Sequence, residues 1–142
     1  MSDHRIPRTE SAYTYPLLIK HLLQSPLVHH PEQEIVYRDQ LRYTYRDLHE
    51  RVCRLANALL SSGVKAGDTV AVMDWDSHRY LECFFAVPMI GAVLHTVNVK
   101  LSAEQILYTI DHAEDNVLLV HRDFVPIIEQ IKGRIDMVDH YI

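Results

Sequence analysis

Glycine is scarce in this chain. Four glycines stand at Gly63, Gly67, Gly91 and Gly133. That spacing builds neither GxGxxG nor GxxxxGK[ST], the two common loops that bring backbone amides close to phosphate. Two cysteines, Cys53 and Cys83, are too few for a disulfide framework and form no CxxC. Both fall in apolar helical patterns, where free cysteine acts as a small hydrophobe, and they fit a reducing, cytoplasmic setting. No run approaches the ~20 apolar residues of a membrane span, and the first residues, Met1-Ser2-Asp3-His4-Arg5, carry no apolar leader. No lysine/arginine block occurs and the formal net charge is -5, which argues against a nucleic-acid partner. There is no GxSxG and no HExxH, so neither a serine-hydrolase elbow nor a zincin helix is written here.

What is present is an ordinary globular composition, 48% hydrophobic and 23% charged over 142 residues. That length matches one domain or part of a larger one. Residues 1–12 are polar and unpatterned, the start of an N-terminal arm expected to be mobile through residue 14. Pro16, Leu17, Leu18, Leu22 and Leu23 predict a short helix ending near Gln24, with Pro26 and Pro31 enforcing the loop after it. Glu34–Tyr37 and Leu41–Thr44 predict a hairpin across Arg38-Asp39-Gln40. Thr44 with Asp47 opens a helix bearing Leu48, Val52, Leu55, Ala56, Leu59 and Leu60, which Gly63 ends. Thr69–Met73 is a nearly continuous apolar run, the mark of a strand buried on both faces.

The alternation then repeats. Asp76 or Ser77 caps a helix bearing Leu81, Phe84, Phe85, Pro88 and Met89, and Ala92–Val97 is the next strand. Ser102-Ala103-Glu104-Gln105 has the form of a capping box, followed by inward Ile106, Leu107 and Ile110. Val117–Val120 is a strand, Phe124–Lys132 a helix closed by Gly133, and Ile135–Ile142 the beginning of another strand. The fold class is therefore α/β: a mostly parallel sheet with helices on both faces, preceded by a helix and a short β-hairpin.

In such a sheet ligands gather beyond the carboxyl ends of the strands. The loops there are Asp74–Ser77, Asn98–Leu101 and His121–Asp123. Asp76 reads as a cap and Trp75 as packing or a lid. His95, inside a strand, reads as a partly buried, hydrogen-bonded sheet histidine. The ten histidines include the adjacent His29 and His30, and His112 and His121 flanking a strand, but none has metal-ligand spacing. Ser77 and His78 are merely neighbours. Residue chemistry alone names no active site.

Five segments nevertheless stand in a suggestive order. Leu41-Arg42-Tyr43-Thr44-Tyr45-Arg46-Asp47-Leu48, Gly63-Val64-Lys65-Ala66-Gly67-Asp68-Thr69-Val70, Gly91-Ala92-Val93 with Asn98-Val99-Lys100-Leu101, Ser102–Ile110 and Asp115–Val120 resemble the early part of AMP-forming acyl-CoA synthetases. The likeness covers about residues 15–142, with Val99 and Lys100 in place of the commoner Pro and Arg. Asp76–Glu82 and Leu94–Asn98 are most similar to medium- or long-chain fatty-acyl-CoA ligases. The resemblance implies the first subdomain of the large N-terminal domain of an adenylating enzyme. It implies a parent that joins a carboxylate to coenzyme A through an acyl-adenylate, with ATP and magnesium, and a possible homodimer. The family's phosphate loop, aromatic-Thr-Glu segment, ribose-binding Asp and catalytic Lys match no stretch here. No catalytic, cofactor-binding or metal residue is carried over, and the chain alone is expected to be inactive. Two alternatives stay open: a stand-alone α/β binding or dimerisation module, and an adenylating ligase for another carboxylic acid.

Overall fold

The computed structural model describes residues 9–142. The part of the expected arm at residues 1–8 lies outside them. The expected helix before Gln24 is a 3-10 turn over Ile19–Leu23, and it leads directly into helix α1, Gln24–His29. Pro26 thus sits inside a helix instead of breaking one. It occupies the first turn, where a backbone N–H has no intrahelical acceptor to lose.

Strands β1 (Glu34–Tyr37) and β2 (Leu41–Thr44) pair antiparallel, with Ile35 opposite Tyr43. Helix α2 (Tyr45–Ser61) follows at once. The Asp47 N–H donates to Thr44 Oγ1 at 3.1 Å and the Thr44 N–H to Asp47 Oδ2 at 2.8 Å, a reciprocal cap. The same device opens α4 (Ala103–Ala113) between Ser102 and Gln105, at 3.4 and 3.1 Å. Between them lie β3 (Thr69–Met73), α3 (His78–Met89) and β4 (Val93–Thr96). The chain closes with β5 (Val117–Val120), α5 (Val125–Ile131) and β6 (His140–Tyr141). The strand expected from Ile135 is only two residues long, because residues 132–139 are spent on a further 3-10 turn, Lys132–Arg134, and an irregular approach.

The main sheet has the order β4-β3-β5-β6, all parallel. Side chains alternate across it. Ala71, Met73 and Leu118 point to one face and are buried with Ile106 and Ile110 of α4 and with Ile128 and Ile131 of α5. Val70, Val72 and Val117 point to the other, against Leu59 of α2 and Cys83 and Val87 of α3. Outside α2 and α3 a third cluster joins Leu23, Tyr43, Leu48, Val52, Ala56 and Ala86, so the hairpin and α1 form an extra layer on that side alone.

Helix α3 departs from the expected pattern. Its deepest residues are Glu82, Cys83, Ala86 and Val87, while Phe84 is 43% exposed. It is pressed between the sheet and the α2–hairpin layer, so small residues sit where backbones approach and larger ones fill the rim. Leu60 and Val125 likewise turn outward.

Candidate functional site

The carboxyl edge of the sheet is the first place to look. The Val97 N–H donates to Val72 O at 3.1 Å and the His121 N–H to Met73 O at 2.8 Å, which pins the loops after β4 and β5 to β3. Asp74 follows β3 directly and is almost wholly buried, its side chain 7% exposed. The Ser77 hydroxyl donates to Asp74 Oδ2, and Arg79 Nε lies 4.0 Å from the same oxygen. Asp74 Oδ1 is buried without a partner among the described residues. Ser77 also caps α3, accepting from the Tyr80 N–H at 3.3 Å, so of the two expected caps Ser77 serves and Asp76 does not. The Ser77 hydroxyl is thereby engaged on both sides, as donor to Asp74 and acceptor from the helix.

Trp75 is 40% exposed and fixed at both ends. Its Nε1–H donates to Asp123 Oδ2 at 2.9 Å, and its ring rests 4.7 Å from that of Phe124. The Asp123 N–H donates to His121 Nδ1 at 3.2 Å. A ring nitrogen that accepts this bond has no proton to offer Asp123 Oδ2, 3.5 Å away, so the two do not form an ion pair through it. In the third loop Asn98 Oδ1 accepts from the Lys100 N–H at 3.0 Å, closing a local turn. The three predicted loops thus converge on one edge. Trp75 packs as expected, while Asp123, its anchor across the sheet, went unnoticed because the two are far apart in sequence. The signal available was an acid next to an aromatic, Asp123-Phe124, at a strand end.

The four glycines all lie in the connections from helix to strand, at the opposite edge. Among the described residues, no group of three or more His, Cys, Asp or Glu could hold a metal ion.

Two polar pairs are buried within the fold. His95 on β4 meets Asp115 Oδ2 through Nδ1 at 2.7 Å, as its strand position implied. Burial pushes the Asp115 carboxyl up, opposed by its hydrogen bond to His95. On the other face Arg51 Nε donates to Glu82 Oε1 at 2.7 Å, joining α2 to α3. Cys83 is sealed between α3 and the sheet, and burial raises its thiol to about 12, so it remains a neutral, inert packing group. Two clefts open on the hairpin side. One of about 280 Å³ is walled by Tyr37, Tyr43, His78, Leu81 and Phe84. The other, about 640 Å³, is walled by Leu22, Leu23, Pro26, Leu48 and Phe85. No helix among the described residues is long and apolar enough to cross a membrane.

Comparison with known proteins now gives the fold a context. Residues 23–141 match the family described as AMP-binding enzyme. A long-chain-fatty-acid–CoA ligase of Thermus thermophilus is 44% identical over 101 residues, covering 71% of this chain and 19% of that protein. A 3-methylmercaptopropionyl-CoA ligase of Ruegeria lacuscaerulensis is 31% identical over 133 residues, 91% of this chain and 25% of that one. The crystal structure of the anthranilate CoA ligase AuaEII with anthranoyl-AMP superposes with a TM-score of 0.83 at 26% identity, over 89% of this chain and 25% of that one. The chain thus spans a fifth to a quarter of the relatives it matches. With its sheet order, its paired capping boxes and this match over most of its length, the chain belongs to the AMP-binding enzyme family.

Proposed function

We propose that this chain is the N-terminal part of an ATP-dependent fatty-acid–CoA ligase. In that reaction a carboxylate attacks the α-phosphorus of ATP, releasing pyrophosphate and leaving an acyl-adenylate. The thiol of coenzyme A then displaces AMP and forms the thioester. Residues 15–142 are, in this reading, the first α/β subdomain, ahead of the phosphate loop. ATP, magnesium and coenzyme A are held by chain outside these 142 residues, which alone carry no activity. The observation that carries the reading is the 44% identity to the Thermus thermophilus ligase. The loops of the carboxyl edge, 74–77, 98–101 and 121–123, contain no glycine, which supports the part of the reading that puts the phosphate loop elsewhere.

A second acyl class is favoured by a specific observation. The likeness to the 3-methylmercaptopropionyl-CoA ligase runs over more of this chain than the likeness to the fatty-acid enzyme. A homodimer is part of the proposal too, since Tyr13 and Leu17 before β1 are 89% and 93% exposed and contiguous exposed apolar side chains favour association. A cytoplasmic location is also proposed, on the two free cysteines, which fit a reducing compartment.

The test is an assay of the full-length protein that contains this chain, with ATP, coenzyme A and a panel of acids from short thioether to long-chain fatty. The expected result is pyrophosphate and acyl-CoA with a fatty acid. Thioester formation only with short or aromatic acids moves the protein to the second reading. Absence of carboxylate-dependent ATP–pyrophosphate exchange across the panel overturns both.

A further inference from the structure

The seam between the hairpin and α3 combines a strained turn with an unsatisfied imidazole. The tip turns through Arg38 and Asp39, both left-handed at φ 50° and 53°. Side chains other than glycine resist that conformation, so it persists only where surrounding contacts enforce it. Those contacts are few. The Gln40 N–H donates to Tyr37 O at 2.9 Å, and Arg42 reaches Asp39 at 3.4 Å across an exposed surface. Arg38 lies 5.3 Å over the Tyr37 ring. The Tyr37 ring also lies 5.3 Å from the His78 ring, where the tip meets α3. The base of the hairpin is tied separately, by the Tyr45 N–H to Gln33 O at 3.2 Å.

His78 is the first residue of α3 and walls the smaller cleft together with Tyr37 and Tyr43. Its Nδ1 is buried and has no partner among the described residues. A proton there would sit at the positive end of the α3 dipole, beside Arg79 and near Arg51 of α2. The carboxylates on its other sides are Glu82 one turn along α3, and Asp74 and Asp76 in the loop before it. From the hairpin it faces the neutral phenols of Tyr37 and Tyr43, with Arg38 behind the first.

We propose that His78 is a proton-operated latch: uncharged, it docks the hairpin tip against the first turn of α3; protonated, it leaves the seam and lets the tip open. Burial lowers the proton affinity of the docked ring, against the pull of Glu82. The undocked ring takes up its proton near the ordinary histidine value of about 6.5. Docking is therefore complete above that value and weakens as pH falls below it. Opening widens the smaller cleft and relaxes the left-handed turn.

The experiment is amide hydrogen exchange on the full-length protein that contains this chain, as protection factors corrected for intrinsic exchange, from about pH 7.5 to about pH 5.5. Protection of the tip amides, Gln40 among them, is expected to fall about fivefold with acid, with a midpoint matching the titration of the His78 ring. The base amide of Tyr45 is expected to hold. His78→Phe keeps a ring against Tyr37 and takes no proton, so its tip protection should be flat with pH. If that variant fails to fold, His78→Gln and the midpoint match in the wild type carry the test. Tip protection that is flat in the wild type, that falls equally in the variant, or whose midpoint differs from the His78 titration overturns the proposal.

Discussion

The two faces of the central sheet are cut from the same strands yet sealed in different ways. Under α4 and α5 the alternate residues Ala71, Met73 and Leu118 meet one apolar layer, interrupted by the His95–Asp115 pair, and then solvent. Under α2 and α3 their neighbours Val70, Val72 and Val117 meet a layer that is itself covered by the hairpin and α1. The second face buries an ion pair, Arg51–Glu82, and holds both clefts and the unpartnered Tyr43 hydroxyl and His78 nitrogen. In a two-layer contact each helix chooses its side chains against one surface, and neither of the two clefts opens there. A three-layer contact forces α3 to satisfy two surfaces at once, and the compromise leaves crevices and buried polar groups.

That contrast can be broken most sharply in the core. Ile106→Ala, on the sealed face, is expected to lower unfolding free energy by about 3–4 kcal/mol, since the site cannot collapse around the cavity. Leu81→Ala, in the wall of both clefts, should lose only about 1–2 kcal/mol by the same urea titration, because its surroundings are already open. Equal losses would mean that the two faces are sealed alike. The buried ion pair comes next. Glu82→Ala leaves Arg51 without its carboxylate and should cost about 2 kcal/mol, discounted for the partial exposure of Arg51. A double-mutant cycle with Arg51→Met should recover part of that loss.

A smaller effect probes the starts of the two flanking helices. Thr44→Ala and Ser102→Ala each remove a reciprocal cap and should cost about 1 kcal/mol apiece, measured as a shift of denaturation midpoint. Their equality would show that the difference between faces lies in packing and not in helix initiation. The slightest effect is one of pH. Because burial raises the Asp115 carboxyl, the folded chain keeps that proton at a pH where the unfolded chain has lost it. The group therefore favours folding near and below the ordinary Asp value of about 3.9 and weakens it as pH climbs through the raised value. Asp115→Asn should flatten this part of the stability profile, read by thermal melts between about pH 4 and pH 6.

What the sequence made legible was local or periodic. Thr44 with Asp47, and Ser102 with Gln105, announce their helices because a cap is settled within four residues. Thr69–Met73 announces a strand buried on both sides because no other short element needs an unbroken apolar run. The same logic misled at Pro26, where proline is compatible with a first turn, and at Ile135–Ile142, where apolar residues cover α5 but mostly do not pair. The buried face of α3 was legible only in part: Leu81, Phe85 and Met89 pack inward as expected, against the hairpin-side cluster, whereas the face toward the sheet was not foreseen. Whether Cys83 or Phe84 turns inward depends on how close α2 approaches, which no spacing within α3 encodes. The loops at the carboxyl edge could be named, but not the Trp75–Asp123 bond, which forms only once β3 and β5 lie side by side.

The strand order carries a consequence for the chain as it is being made. β3 is the centre of the sheet, yet both of its neighbours, β4 and β5, come later in the sequence. At roughly 5–20 residues per second, Thr-Val-Ala-Val-Met leaves the ribosome several seconds before β5 exists to cover its second edge. During that interval this apolar run is covered only on the face of α2 and α3 and along the edge of β4, all of which emerge before β5. The face under α2 and α3 is therefore largely assembled while the opposite face still waits for α5.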